Sequence, residues 1–468
     1  MNSYEAPPAE ILARQRESFL GETAPQADAR KADLKKLRRA LISRRSQFED
    51  AINSDFGHRA RHETAIMEIL PTVQGIDYLI RNMRRFMRPQ RRHVGLTYWF
   101  ASARVEYQPL GVVGVVSPWN YPLSLAIMPL ATAIAAGNRA MIKPSEFTPT
   151  TSRLMAEMLA DIFPAQQVAV IQGDAQVGAE FTALPFDHLL FTGSTSVGRH
   201  VMRAAADNLV PVTLELGGKS PVIIAPGQAT TAHIANIAFG KLANAGQTCI
   251  APDYVLLHED DAEAFRLAYD QAVAKMYPQG ASSQDYSAII NARHFERLTG
   301  LLDDARNKGA EVVLPGKPAK ASRAQTLPPA LVFGATNDMA VMEQEIFGPI
   351  LPVLTYCHLD EAIAAVNARP RPLALYYFGP DDEARQKVLT RTISGNVGIN
   401  STLMHYAQDD LPFGGVGPSG MGACHGPEGF RRMSHAKGIY SQRRVNLSNL
   451  IRPPFGRLAN LVLKTVFR

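Results

Sequence analysis

The sequence predicts an α/β fold of two doubly wound domains with a small additional arm. Three observations carry this. From Gly111 onward, short apolar runs alternate with stretches of helical period, the pattern of parallel strands joined by helical crossovers. The alternation pauses at one small polar turn, Asn244-Ala245-Gly246-Gln247-Thr248-Cys249, and then resumes. At 468 residues the chain is also too long for one simple core.

The first ninety residues read as helices of mixed charge over 11–19 and 29–52, the second with Leu34, Leu37, Leu41 and Ile42 on one stripe. The Arg-rich run over 81–92 reads as a solvated helix end. Residues 96–100 and 104–107 alternate around Ala101-Ser102-Ala103, which predicts a hairpin or extended arm over about 93–108. Strands follow at 112–116, 140–142, 168–171 and 188–191, and helices at 123–136, 150–162 and 196–206. Sheets of this kind bind ligands at the carboxyl ends of their strands, here at 117–121, 143–146 and 192–198.

Within that set, 191–198 reads strand, glycine turn, helix start, which offers backbone N–H groups to an anion. Gly193 and Gly198 lie five apart, so the GxGxxG fingerprint is absent and a purely structural turn stays equally open. Lys143 and Glu146 suit a ribose or phosphate, or an ordinary surface turn. A strand at 212–216 carries Glu215 in its apolar end, just before Gly217-Gly218-Lys219. A carboxylate there is either salt-bridged or raised in pKa and usable as a base. Beyond Cys249, strands at 254–257, 350–355, 373–377 and 397–399 and helices at 262–274, 296–307 and 359–366 predict the second domain. The glycine-rich loop over 411–422 is too long to be idle.

Composition excludes several classes. With 46% hydrophobic and 20% charged residues the chain reads as an ordinary globular protein. Its 3 cysteines, Cys249, Cys357 and Cys424, fit a reducing, cytoplasmic setting without a disulfide framework, and their spacing shows no metal pattern. No secretory signal is read at the N-terminus, and the longest apolar run is too short to span a bilayer. The net charge of +6 sits in an acid-free tail over 441–468, leaving a balanced body, so a nucleic-acid partner is not expected. In that tail Phe455, Leu458, Val462 and Val466 fall on one helical stripe. The expectation is a helix packed on its own body or on a dimer partner, ahead of peripheral contact with an anionic membrane.

A lone thiol such as Cys249 is usually a small buried hydrophobe. Its company changes that reading. Residues 118–122 (Pro-Trp-Asn-Tyr-Pro), 143–146 (Lys-Pro-Ser-Glu), 191–198, 215–219 (Glu-Leu-Gly-Gly-Lys), 246–249 (Gly-Gln-Thr-Cys), 345–349 (Glu-Ile-Phe-Gly-Pro) and 412–415 (Pro-Phe-Gly-Gly) occur in the order and spacing of the aldehyde dehydrogenase superfamily. Over about 33–440 the chain resembles its class 3 branch, most closely the bacterial coniferyl aldehyde dehydrogenases.

The resemblance implies a Rossmann-like NAD-binding domain over 1–210, a catalytic domain over 211–399 and an oligomerisation and active-site loop segment over 400–440, followed by the tail. It implies Cys249 as nucleophile, Asn120 with the Cys249 N–H as oxyanion donors, and Glu215 as the base that activates water. Lys143 and Glu146 would hold the adenosine ribose, Gly193 and Ser194 the pyrophosphate and Glu345 the nicotinamide ribose, with Phe347 beside it; Gly198 and Leu216 complete the cofactor set. Trp119, Tyr121 and Ile250 are the expected substrate pocket. The implied reaction is oxidation of an aromatic or other hydrophobic aldehyde through a cysteine thioester by a homodimer, with NAD favoured and NADP possible. A medium- or long-chain aliphatic substrate is the alternative, and a thiol esterase the non-redox one.

Overall fold

The computed structural model describes residues 6–467 apart from 96–97, 317–322, 447–448 and 450–451. Helices Pro8–Gly21, Ala27–Ser43, Arg45–Asp55 and Leu70–Met87 precede the sheets. Leu34, Leu37 and Leu41 are buried as their spacing predicts, but Ile42 is exposed, because it lies one residue and hence 100° round from Leu41. The helix expected over 29–52 breaks at Arg44. Ahead of Leu70 the turn Ala65–Ile69 is π-helical, a local widening common near functional sites.

The arm is a three-stranded antiparallel sheet in which Ala101–Pro109 pairs with Gln90–Arg92 on one edge and Ser434–Gln442 on the other. This corrects the predicted hairpin. Its first strand is 90–92, residues 98–100 form a turn, and Ala101-Ser102-Ala103 lie inside a strand; Leu96 and Thr97 lie outside the described residues. The long partner 434–442 comes from the far end of the chain, a pairing that local alternation cannot reveal.

The first large sheet runs in the order Val168–Val170, Arg139–Lys143, Val112–Val116, His188–Thr192, Val212–Glu215, Gly420–Met421, all parallel except the last. Its chain order reverses between Val112–Val116 and His188–Thr192, the switch point at which such sheets open a crevice. The second sheet runs Glu311–Val313, Ala330–Phe333, Ile350–Tyr356, Tyr254–His258, Pro221–Ile224, Ala374–Phe378, Asn396–Ile399, with only the first antiparallel. Pro221–Ile224 sits near its centre and was not foreseen, because four residues opening on a proline carry little strand signal.

The boundary expected at Val210 falls one strand early, since Val212–Glu215 pairs inside the first sheet. Nor is 400–440 a separate unit: Gly420–Met421 joins the first sheet and Ser434 begins the arm strand. The chain crosses between sheets over 216–220. Glu215 ends a strand of the first sheet, whereas Lys219, Cys249 and Glu345 stand just before Pro221–Ile224, Tyr254–His258 and Ile350–Tyr356. Carboxyl ends of one sheet therefore meet amino ends of the other, and the site forms in that seam.

The tail does form a helix, Arg457–Val466; of the predicted stripe Phe455 and Leu458 are exposed and Val462 is half-buried, and Leu461, Leu463 and Phe467 beside it are exposed as well. The Val466 side chain and Arg468 lie outside the described residues. No helix among the described residues is long and apolar enough to cross a membrane.

Candidate active site

Cys249 is half-buried at the end of a tightly wound turn. Asn244, Ala245 and Gly246 take φ of 52°, 50° and 77°, three consecutive left-handed residues. Such a run is held only where its surroundings over-determine it. Here the Asn244 side chain donates to the Asn120 carbonyl at 2.9 Å, and its backbone N–H donates to Glu63 at 2.5 Å. The Gln247 side-chain amide donates to the Asn244 and Ala288 carbonyls, each at 3.0 Å, and its oxygen accepts from the Ile290 N–H at 3.0 Å. The Tyr376 hydroxyl donates to the Ile250 carbonyl at 2.6 Å. The turn is thus clamped on both sides of the thiol.

Asn120 is buried and donates one amide hydrogen to the Gln247 carbonyl at 3.0 Å, which fixes the amide plane and leaves its second hydrogen available. Behind it sits a charge pair that nothing in the sequence had singled out. The fully buried Arg59 donates to Glu68 at 2.9 Å and to the Asn120 carbonyl at 3.1 Å, while Glu68 accepts the Leu123 and Ser124 N–H groups at 2.9 and 3.1 Å. The guanidinium also lies over the Tyr121 ring at 4.9 Å.

Glu215 is 6% exposed, and neither carboxylate oxygen has a hydrogen-bond partner. Burial pushes its pKa up to about 8, and the nearby Cys424 thiol lowers it only in part. The Gly193 N–H donates to the Glu215 carbonyl at 3.0 Å, and Glu215 pairs in register with Gly420, so both the glycine turn and the glycine-rich loop hold this residue. Glu215 and Cys249 line one cavity of about 40 Å³, together with Leu216, Tyr406, Cys424 and His425. The thiol itself is pushed up to about 12, by burial first and then by the carboxylates of Glu345 and Glu215.

On the other side of Cys249 lies a cavity of about 280 Å³ lined by Ile66, Met67, Leu70, Tyr121, Phe239, Ile250, Met404 and Tyr406. Tyr121 and Ile250, two of the residues expected in the substrate pocket, both line this cavity. Trp119 does not: it lines the opposite cleft, with ring contacts to His294 at 5.0 Å and Phe347 at 5.4 Å. The cause is geometric, because in the turn after Val116 the Trp119 and Tyr121 side chains leave opposite sides of the backbone, Tyr121 reaching the Thr248 hydroxyl at 2.7 Å. The remaining walls come from segments far apart in the chain, with no local motif to announce them.

The opposite cleft, about 910 Å³, runs across the switch point and is lined by Lys143, Glu146, Gly193, Ser194 and Trp119, with Asp174, Arg293 and Arg297 added by the fold. Ser194 caps the helix Thr195–Asp207, leaving that positive end at the cleft. The Ser117 hydroxyl is buried on the cleft wall without a partner. An orphaned hydroxyl, a helix N-terminus and a basic rim fit a dinucleotide. Gly198 is not on the wall; a Cβ there would lie 2.7 Å from Leu216, so this glycine allows close packing of the helix beneath the cleft. Glu345 rests against Gly217, where a Cβ would come within 2.2 Å of its carboxylate, and its pKa is pushed up to about 7 by burial and by Asp253. Phe347, in a left-handed conformation at φ 51°, closes on Trp119.

A dinucleotide-sized cleft and an apolar substrate cavity, bridged by the small cavity that shares Thr192 with the first and Cys249 with the second, have the layout of a nucleotide-dependent oxidoreductase. Comparison with known proteins agrees. The profile of the aldehyde dehydrogenase family matches residues 10–439. The chain is 53% identical to a probable coniferyl aldehyde dehydrogenase of Pseudomonas aeruginosa, over 100% of this chain and 97% of that one. The substrate-bound structure of a Staphylococcus aureus AldH is similar at a TM-score of 0.92 and 38% identity, covering 98% of this chain and 99% of that one. An NAD-dependent aldehyde dehydrogenase from Sinorhizobium meliloti gives a TM-score of 0.84 at 27% identity, over 96% and 88% of the two chains. The chain belongs to the aldehyde dehydrogenase family, and its activity is NAD(P)-dependent oxidation of an aldehyde.

Proposed function

We propose that the substrate is an aromatic aldehyde of the coniferyl type and that Cys249, Asn120 and Glu215 carry the reaction. The observation that carries the substrate class is the 280 Å³ cavity, of a size for one substituted ring and walled by Tyr121, Tyr406 and Ile250 directly beside the thiol. The similarity to a probable coniferyl aldehyde dehydrogenase of Pseudomonas aeruginosa supports the same class. The exposed apolar rim of Ile66, Leu70, Phe239 and Met404 favours the second reading, an aliphatic chain running outward. Kinetics across cinnamaldehydes, benzaldehydes and linear aldehydes separate the two. The expected result is a kcat/KM about tenfold or more higher for the cinnamaldehydes, the worth of one or two buried CH₂-sized contacts. A preference for linear chains overturns the coniferyl assignment.

In this reading the Cys249 thiol loses its proton to solvent water as its sulfur forms a bond to the aldehyde carbon. The resulting alkoxide is met by the free amide hydrogen of Asn120 and by the Cys249 N–H, donors that act on charge present only beyond the ground state. When bound, the nicotinamide accepts the two electrons and the hydrogen that take this adduct to the acyl level. Glu215 then removes a proton from water as its oxygen bonds to the acyl carbon; the carbon–sulfur bond breaks, the leaving thiolate takes that proton from Glu215, and the acid and free Cys249 result. With its pKa pushed up to about 8, Glu215 is mostly protonated at neutral pH and becomes available as the base as the pH rises toward that value.

NAD is the proposed cofactor. Lys143 spends its ammonium on the Pro144 carbonyl at 2.8 Å and stands 3.8 Å from Glu146. Glu146 is free to accept from a ribose 2′-hydroxyl, and its charge opposes a 2′-phosphate. Steady-state assays are expected to give a kcat/KM for NAD about tenfold or more above that for NADP, one charge-assisted hydrogen bond's worth. Equal values sink the assignment of Glu146.

The proposed assembly is a homodimer. Trp99, Phe100 and Tyr440 on the arm and Leu458, Leu461 and Phe467 on the tail are exposed, and apolar groups gathered on such extensions mark interaction surfaces.

A further inference from the structure

The Glu215 carboxylate ends its strand in the small cavity with no completed hydrogen bond at either oxygen. A buried, unpaired carboxylate is costly, and without a partner its rotation is unset, a defect in a base that must address one water. A volume of about 40 Å³ admits only a water or two.

Eight polar side chains besides Glu215 line that space, among them the hydroxyl-bearing Thr132, Thr192 and Thr213. Cys249 comes from the turn before Tyr254, Tyr406 from the loop after Thr402, Cys424 and His425 from the end of the glycine-rich loop, and Arg432 from the helix Gly426–Arg432. Arg432 is committed to the Val212 carbonyl at 3.0 Å and to the Thr213 hydroxyl at 3.4 Å. His425 packs against Tyr406, with ring centres 4.9 Å apart, and burial pushes its pKa down to about 4, leaving it uncharged. Burial keeps the Tyr406 phenol protonated, and Cys249 is the reacting group.

Cys424 presents its thiol to the Glu215 carboxylate. Its backbone is pinned by reciprocal hydrogen bonds with Phe413, at 2.9 and 2.7 Å, which fix the thiol beside Glu215. Burial and the neighbouring carboxylate hold this thiol well above its ordinary range, so it stays S–H and remains a donor.

We propose that Cys424 is a positioning residue whose thiol donates to the Glu215 carboxylate and holds it toward the water that attacks the Cys249 thioester. The proposal rests on the reading of Glu215 as the base. No bond of Cys424 is broken: the proton taken from water goes to Glu215, and the S–H stays intact. A thiol is a weak donor, so it orients the carboxylate while leaving most of its basicity.

The test is the pH dependence of acyl-enzyme decay after a single turnover with NAD and an aromatic aldehyde, in the full chain and in Cys424→Ala, Cys424→Ser and Glu215→Gln. The unaltered protein is expected to decay faster as pH rises along a limb that Glu215→Gln abolishes. Removing a donor to the charged form raises the carboxylate pKa. In Cys424→Ala the limb therefore moves to higher pH by about half to one unit, and decay near neutrality falls about three- to tenfold. In Cys424→Ser, a stronger donor, the limb moves to lower pH. A limb that moves in neither variant, even with a uniform loss of rate, overturns the proposal while Glu215 keeps its role. A limb that persists in Glu215→Gln overturns the reading of Glu215 and this proposal with it.

Discussion

Cys249→Ser is expected to lower kcat/KM for aldehyde oxidation by about 10⁴-fold or more, the scale seen when a covalent nucleophile is removed. Cys249 lines both the 40 Å³ and the 280 Å³ cavities, and the Asn120 amide donates to the carbonyl of Gln247, two residues before it. A serine hydroxyl in the same place keeps the geometry and loses the nucleophile, because burial beside Glu215 and Glu345 opposes an anion there even for a thiol. NAD affinity, followed by calorimetry, is expected to stay within about twofold, since the dinucleotide cleft is walled by other residues. A variant that retains a tenth of the turnover removes Cys249 from the chemistry.

Arg59→Ala is expected to cost about 3–5 kcal/mol of stability, read as a fall in the urea midpoint. Glu68 is fully buried and has only Arg59 to balance its charge, while the guanidinium also carries the Asn120 carbonyl and the Tyr121 ring. Truncation leaves an uncompensated carboxylate beneath Asn120. Glu68→Gln, which retains the N–H acceptor on Leu123 and Ser124, is the milder partner change. A loss below about 1 kcal/mol in Arg59→Ala means that the pair contributes little and the turn is held by Asn244 and Gln247 alone.

Why the sequence revealed one part of this site and hid another has a physical basis. Cys249, Glu215, Asn120, Gly193 and Glu345 lie at strand ends or in the turns beside them, where backbone demands are strict and the local residue types announce them. The parallel strands were legible for the same reason, being short apolar runs between helical periods. Arg59 and Glu68 carry no such mark. Their importance arises from burial against Leu123, Ser124 and Asn120, more than fifty positions away in the chain. The direction of Trp119 depended on which side of one turn each side chain leaves, and a single residue of register decides that. Phe239, Leu403 and Met404 became a wall only when the helix Thr231–Leu242 and the loop after Ile399 met over the thiol.

In the proposed reaction the aldehyde carbon passes through a bond to Cys249 that Glu215 is needed to hydrolyse. Intact-mass spectrometry of Glu215→Gln after incubation with NAD and coniferyl aldehyde tests this step. The expected result is one acyl group per chain, mapped to Cys249 by peptide analysis and released slowly, with one equivalent of NADH formed in a burst. An unmodified chain that turns over steadily, or an acyl group on another residue, would contradict it.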